Sequence, residues 1–376
     1  MALSMSADAI AACVLAAFEA LPAKRKPRPR GDGTREWVPL SGIVLSDAIR
    51  AFNRFLIEEC ADLAASGLRP SAFLRHREEG EITRAEHQPF TIKESVQIHM
   101  YSSEAPCGDA SMELVMDAQD DATPWPVPPP SSEDLDQPPA GLRGRANFSL
   151  LGHVRLKPSR TDAPPTLSKS CTDKLALAET ASLLSSVTSL LVSPRNAYLS
   201  TLVLPAAQYV PTAIARAFGP SGRMAGITPE MITRWGTGGS GYRFQPFEVR
   251  PVVQEFAYSR RSFEISQTPV PSNISAVYTP KFQETLIGGV LQGRKQFDPR
   301  GASRLCRKSM WKAVADVAAL LAVPALLGVG REVRYQDVKK LDLLEWRRTV
   351  KADVKGESGP LKGWPENKGD DVFGLE

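Results

Sequence analysis

Two cysteines have local sequences that favour metal-binding chemistry. Cys107 lies in a Pro-Cys-Gly-Asp loop after a β-rich stretch, and Cys171 follows a serine at the start of a segment with helical character. The backbone N–H groups and the dipole at a helix start lower the pKa of a thiol, and the thiolate is the form that binds zinc. Two such cysteines and one histidine would form a catalytic zinc site with a fourth position open for an activated water.

Spacing alone does not establish such a site. The two cysteines are far apart in sequence, and a small buried hydrophobic residue is the commonest role of an isolated cysteine. A third ligand is also needed, and the only histidines are His76, His87, His99 and His153. His99 is the least implausible candidate because it lies on the strand that leads to Cys107, although a histidine within a strand is more often part of the core. From the residues alone, both interpretations remain open.

The pattern of apolar residues predicts an α/β domain. Helices are predicted at 8–20, 48–65, 172–184, 214–218, 229–235, 304–327 and 338–354, and strands at 37–45, 95–103 and 199–204. Thr172 or Asp173 is expected near the N-cap of the 172–184 helix. The proline-rich and acidic stretch at about 120–142 is expected to be a disordered insertion. We therefore predict one domain over residues 1–376, in which strands alternate with helices and the C-terminal half is rich in helix.

Composition excludes some classes of protein. Five scattered cysteines do not resemble a disulfide framework, and no apolar run approaches the roughly 20 residues of a membrane span. We therefore expect an intracellular protein without a membrane segment. The net charge of +4 does not indicate a nucleic-acid partner, but basic residues cluster at 24–30, 294–312 and 331–355, which suits a phosphate backbone. Solvated helix faces are the alternative explanation for each cluster taken alone.

Sequence motifs in a fixed order resemble the RNA adenosine deaminase family. YSSEAPCGDA (101–110) and KSCTDKLAL (169–177) look like its two zinc-cysteine motifs, and further matches include AIRAFNRFL (48–56), GASRLCRKSMW (301–311) and LKGWPENKGDDVFGL (361–375). The segment NISAVYTPKFQETLIGGVLQGRK (273–295) is most similar to the tRNA branch. That branch deaminates an adenosine beside the anticodon, typically of alanine tRNA.

This resemblance implies a fold, a metal and a substrate. The expected fold is a cytidine-deaminase-like three-layer domain with a central mixed sheet, extended by a helix-rich C-terminal half. The expected activity is zinc-dependent hydrolysis of adenosine to inosine in tRNA, with Cys107 and Cys171 as zinc ligands. The protein is expected to act as a monomer, in the nucleus, the cytoplasm or both.

One motif of the family is missing. Members of the family open the helix before AIRAFNRFL with His-Ala-Glu, in which the histidine is the third zinc ligand and the glutamate moves protons. Here Ser46 and Asp47 run directly into Ala48. A Gly-Thr-Gly-x-Lys stretch just upstream is missing as well. Such gaps between intact motifs are typical of lost segments, and a catalytically inactive RNA-binding paralogue is the alternative. Glu58 and Glu59 lie too far along the helix to replace the glutamate, so no catalytic residue is identified.

The resemblance also implies an enclosed inositol hexakisphosphate. A polyanion of this charge can be buried only among many cationic hydrogen-bond donors. Six residues match the family's pattern, and Glu366 and Lys351 match it less closely. The six are Arg50, Lys174, Arg307, Tyr335, Lys339 and Trp364. Leu177 stands where the family has a further basic residue.

Overall fold

The computed structural model describes most of the chain outside the N-terminal segment and the central insertion. The described residues are 44–66, 71–111, 113–114, 170–253, 274–279, 281–287, 290–295, 298–323, 326, 329, 334–362, 364 and 372–375. The helix predicted at 8–20 and the insertion predicted at about 120–142 lie outside them.

Helices and short strands alternate along the chain, as an α/β domain requires. The helices are α1 (Val44–Ser66), α2 (Cys171–Ala181), α3 (Pro211–Phe218), α4 (Pro229–Gly236), α5 (Arg307–Leu321), α6 (Tyr335–Val338) and α7 (Glu345–Lys355). The strands are β1 (Leu74–His76), β2 (Phe90–Ile92), β3 (His99–Tyr101), β4 (Thr201–Pro205), β5 (Glu248–Val252), β6 (Ile274–Tyr278), β7 (Gln283–Ile287) and β8 (Val290–Leu291). Among these helices, none is long and apolar enough to cross a bilayer.

The sheet that positions the site is parallel. Strands β3, β4 and β5 pair side by side, with His99 opposite Thr201 and Thr201 opposite Glu248. The middle strand β4 is buried along its whole length, as expected for a parallel strand covered by helices. Strands β1 and β2 form an antiparallel pair, and β6, β7 and β8 form an antiparallel sheet. Within the described residues each sheet is purely parallel or antiparallel, so the predicted mixed central sheet is not observed there.

Two apolar clusters form the core. One surrounds α2, β4 and α3, and the other lies between α1 and α5. Each contains a fully buried tryptophan whose indole N–H has a partner: Trp235 donates to Asp353 at 2.7 Å, and Trp311 donates to the Val329 carbonyl at 2.9 Å. Buried tryptophans are normally satisfied in this way. Arg347 on α7 donates to the carbonyls of Ala181 and Leu184, so it ties α7 to the carboxyl end of α2.

The N-cap of α2 is Ser170, and Asp173 lies near it as predicted, since its carboxylate accepts from the Ser170 N–H. Two other sequence predictions need correction. Residues 44 and 45 are predicted in a strand, but they begin α1, because Leu45 continues the helical apolar stripe of Ile49 and Phe52. The helix predicted at 338–354 is divided, since a short turn from 339 to 344 separates α6 from α7.

Candidate active site

The loop after β3 meets the start of α2. The backbone N–H of Cys171 donates to Cys107 Sγ at 3.3 Å, and the N–H of Thr172 donates to the Cys107 carbonyl at 3.1 Å. The two cysteines are 64 positions apart in sequence. The structure therefore brings together the two residues that the motifs singled out, beyond the carboxyl end of a parallel strand, where sites of α/β proteins commonly form.

The hydroxyl of Thr172 joins the two segments. It donates towards the carbonyls of Pro106 and Cys107, each at 3.0 Å, and it lies 3.4 Å from the N–H of Ala110. Thr172 and Ala110 are buried and Cys107 is half-buried, so an unsatisfied partner here would be costly. Thr172 thus fixes the Cys107 loop against the first turn of α2.

The N-terminus of α2 is capped on both sides. The Ser170 hydroxyl accepts from the Asp173 N–H at 3.1 Å, and the Asp173 carboxylate accepts from the Ser170 N–H at 3.1 Å. This reciprocal arrangement is a capping box, with aspartate in place of the usual glutamate. Cys171 is the first residue of the helix, so its sulfur lies at the positive end of the helix dipole.

The described residues do not complete a zinc site. Among them, no group of three or more histidine, cysteine, aspartate or glutamate side chains is placed to hold a metal ion. The pair of thiols supplies two ligands, which is one protein ligand short of a catalytic zinc centre. The donor set of the described residues therefore does not fit the whole metal site.

None of the described histidines supplies the missing ligand. His99 lies on β3, and burial together with the charge of Arg250 lowers its pKa. Its Nδ1 is buried without a hydrogen-bond partner among the described residues, but it is not grouped with the cysteines. Burial lowers the pKa of His87 to about 4, with Arg77 adding to the effect. His76 packs against Phe90, and His153 lies outside the described residues.

The first turn of α1 lies beside the first turn of α2. Lys174 donates to the Ser46 hydroxyl at 2.6 Å, although the two residues are 128 positions apart. Leu45 belongs to the same buried cluster as Cys171 and Ala110. An apolar residue and a serine thus stand at the start of the helix that should open with His-Ala-Glu. Glu58 and Glu59 are held elsewhere, by Arg54 at 2.9 Å and by Lys281 at 2.7 Å, so neither replaces the missing glutamate.

Comparison with known proteins assigns the chain to a family. The model of the adenosine-deaminase (editase) domain matches residues 41–367. The chain belongs to the adenosine-deaminase (editase) family. Its enzymatic class is therefore that of a deaminase, a hydrolase.

Two curated relatives carry the same name. A Schizosaccharomyces pombe protein called tRNA-specific adenosine deaminase 1 is 32% identical over 405 positions, which cover 96% of this chain and 95% of the relative. The Saccharomyces cerevisiae protein of that name is 36% identical over 125 residues, covering 31% of this chain and 29% of the relative. The first alignment has 405 positions, whereas this chain has 376 residues. Some residues of the relative therefore have no counterpart in this chain.

The residues expected to hold a polyanion in this family occur in smaller groups. Arg50 pairs with Asp47 at 3.2 Å. Burial raises the pKa of Asp47, while the charges of Arg50 and Lys174 oppose that shift, so both basic residues lie near one carboxylate. Lys339 Nζ lies 5.0 Å from the ring centroid of Tyr335, which stacks on Phe373.

The other two candidates are Arg307 and Trp364. Arg307 is the first residue of α5, and Arg54 of α1 donates to the carbonyl of Ser309 at 3.0 Å, which links these two helices. Trp364 packs against the cluster around α2, with Lys355 Nζ 4.2 Å from its ring centroid. Convergence of all six residues on one enclosed cavity stays a prediction. Lys351 lies on α7, and Glu366 lies outside the described residues.

An open groove with a volume of about 570 Å³ lies beside the Cys107 loop. Its lining includes Asp109, Arg216, Arg223 and Lys362, and it contains none of the six expected polyanion residues. It is therefore not the predicted polyanion cavity. Sequence reasoning missed the two arginines, because nothing in their local pattern distinguishes them from surface charges. The position of Asp173 near the N-cap was predicted from the sequence, and its Ser-x-x-Asp spacing is a variant of a known helix start signal.

Proposed function

We propose that this protein belongs to the tRNA branch of its family and that its substrate is the adenosine next to a tRNA anticodon. The reaction adds water at C6 of adenine, and ammonia leaves to give inosine. The observation that carries the proposal is the apposition of Cys107 and Cys171 at 3.3 Å between backbone N and Sγ, in a chain that aligns with a tRNA-specific adenosine deaminase over 96% of its length. The names of both relatives state the activity, which favours a lost His-Ala-Glu segment over a catalytically silent RNA-binding paralogue.

The proposal assigns the cysteines as two zinc ligands. Cys107 and Cys171 would hold the ion as thiolates, and a zinc ion bound there would supply the Lewis acidity that activates a water near neutral pH. The third protein ligand and the proton-transfer carboxylate are assigned to the His-Ala-Glu segment that this chain lacks. The geometry supports that assignment, since Lys174, about one helical turn after Cys171 on α2, donates to Ser46 in the first turn of α1.

The substrate class follows from where the target base must be. An adenine can reach an enclosed site only after it leaves its stack, and single-stranded loops offer such bases at low cost. The chain with a His-Ala-Glu segment restored between Asp47 and Ala48 should form inosine at the anticodon-adjacent position of transcribed alanine tRNA, read by sequencing. Free adenosine should not react. Deamination of free adenosine at a comparable rate would contradict a tRNA substrate.

Metal content tests the role of the cysteines separately. The restored chain should bind one zinc ion per molecule, measured by elemental analysis after dialysis. Cys107→Ser and Cys171→Ser should each lose that metal, because a serine hydroxyl is not a thiolate. Cys306→Ser is the matched control, since Cys306 caps α5 and accepts from the Ser309 N–H at 3.4 Å. Full zinc retention in the first two variants would refute the assignment.

A further inference from the structure

We propose that Arg216 and Arg223 are positioning residues that set the separation of Cys107 and Cys171, each arginine holding one cysteine-bearing segment. Arg216 lies on α3, and Arg223 begins a short helical turn a few residues later. The functional meaning of this inference rests on the proposed role of the cysteines. Its geometry does not.

Arg216 holds the loop that carries Cys107. Its Nε donates to Asp109 Oδ1 at 3.1 Å, and its Nη2 donates to the Asp109 carbonyl at 3.1 Å. It also forms a two-pronged pair with Glu113, at 2.5 and 2.9 Å. Planar guanidinium groups restrain orientation as well as distance in such bonds. Asp109, two residues after Cys107, and Glu113 are therefore both held by a single side chain.

Arg223 holds the helix that carries Cys171. Its Nη1 donates to Asp173 Oδ1 at 2.7 Å, and both side chains are at most 3% exposed. The other Asp173 oxygen, Oδ2, accepts from the hydroxyl of Ser170 at 2.7 Å. Asp173 thus passes the restraint from Arg223 to the N-cap beside Cys171. Removing Arg223 would leave the charge of Asp173 buried and uncompensated, because the two side chains form a buried ion pair.

The chain between the two arginines is a tight turn. A Cβ at Gly219 would lie 2.4 Å from the Ala215 carbonyl oxygen, and a Cβ at Gly222 would lie 2.3 Å from the same atom. Both contacts are with backbone, which cannot move aside cheaply, so only glycine fits at these positions. Arg216 and Arg223 are therefore joined by a turn that packs closely against the end of α3, and this one stretch of chain contacts both cysteine-bearing segments.

Phenylarsine oxide tests this inference without zinc or RNA. Its arsenic bridges two neighbouring thiols, and the two thiol protons leave with the oxygen as water. Intact-mass measurement of the chain as it exists gives the bridging rate, and Cys107→Ser identifies the pair. In Arg216→Gln and Arg223→Gln, phenylarsine oxide should bridge the two cysteines roughly tenfold more slowly. A tenfold change corresponds to about 1.4 kcal/mol. Arg223→Lys should recover much of the rate, because it keeps a charge for Asp173.

Matched controls are available around another buried carboxylate. Arg195 pairs with Glu86 at 2.7 Å and is partly exposed, as Arg216 is. Arg77 pairs with Glu86 at 3.2 Å and is buried, as Arg223 is. Arg195→Gln and Arg77→Gln should bridge at the parent rate. If Arg223→Gln fails to fold, Arg216→Gln and Arg223→Lys decide the question. Parent-like bridging in a folded Arg216→Gln variant, or equal slowing in the controls, would overturn the inference. The bridging rate is measured without zinc or RNA, so its outcome does not depend on whether the zinc and inosine measurements support the proposed function.

Discussion

The 376-residue chain is expected to form no measurable inosine in transcribed alanine tRNA, whereas the chain with His-Ala-Glu restored between Asp47 and Ala48 forms it. The described residues offer two thiols beside the first turn of α1, where Leu45 is buried and Ser46 bonds to Lys174. The carboxylate of that turn, Asp47, pairs with Arg50 at 3.2 Å, and among the described residues no third metal-ligating side chain is grouped with the two thiols. General acid–base help alone is typically worth about 10²–10⁴-fold. Without an activated water, the rate of deamination falls by a further large factor.

Two controls separate chemistry from folding. A restored segment of the same length with glutamine in place of its glutamate should keep the fold and the metal but lose most of the rate. A segment with alanine in place of its histidine should lose the metal as well. Inosine formed by the 376-residue chain at a rate near that of the restored chain would show that another histidine and carboxylate complete the site.

The sequence predicted the elements and the cysteine pair because each has a local signal. Helical spacing of apolar residues located α1, α3, α4 and α5, and the Pro-Cys and Ser-Cys contexts located Cys107 and Cys171. Strand length was less predictable. The stretch at 95–103 forms a strand only from His99 to Tyr101, because its extent depends on a partner that is distant in sequence. Pairing between strands is set by tertiary contacts more than by local preference.

The parts of the site that were not predicted depend on contacts between residues that are far apart in sequence. Arg216 reaches Asp109 across 107 positions, and Arg223 reaches Asp173 across 50. Neither arginine has a neighbour pattern that distinguishes it from a solvated charge. The family resemblance does not include the two arginines either, because none of the motifs that support it covers residues 216 to 223. A single sequence reveals such contacts only after the fold brings the segments together.

The second large effect is expected from the polyanion. If Arg50, Lys174, Arg307 and Lys339 surround one inositol hexakisphosphate, the cluster without it repels itself, and the folded state depends on the ligand. Arg50 and Lys174 already lie near the carboxylate of Asp47, whose pKa is raised by burial, an effect that the charges of these two basic residues oppose. A tightly bound ligand stabilises a fold by about 4 kcal/mol when it is present at 1,000 times its Kd.

Mass spectrometry of material released by denaturation should therefore detect inositol hexakisphosphate at about one molecule per chain, as a single enclosed site requires. Arg307→Ala should lower both the ligand content and the melting temperature. Lys312→Ala is the matched control on the same helix, because Lys312 forms only an exposed pair with Asp316 at 2.9 Å among its described contacts. It should leave both quantities unchanged. A well-folded preparation that releases no polyanion would refute the assignment, since the positive cluster would then be stable alone.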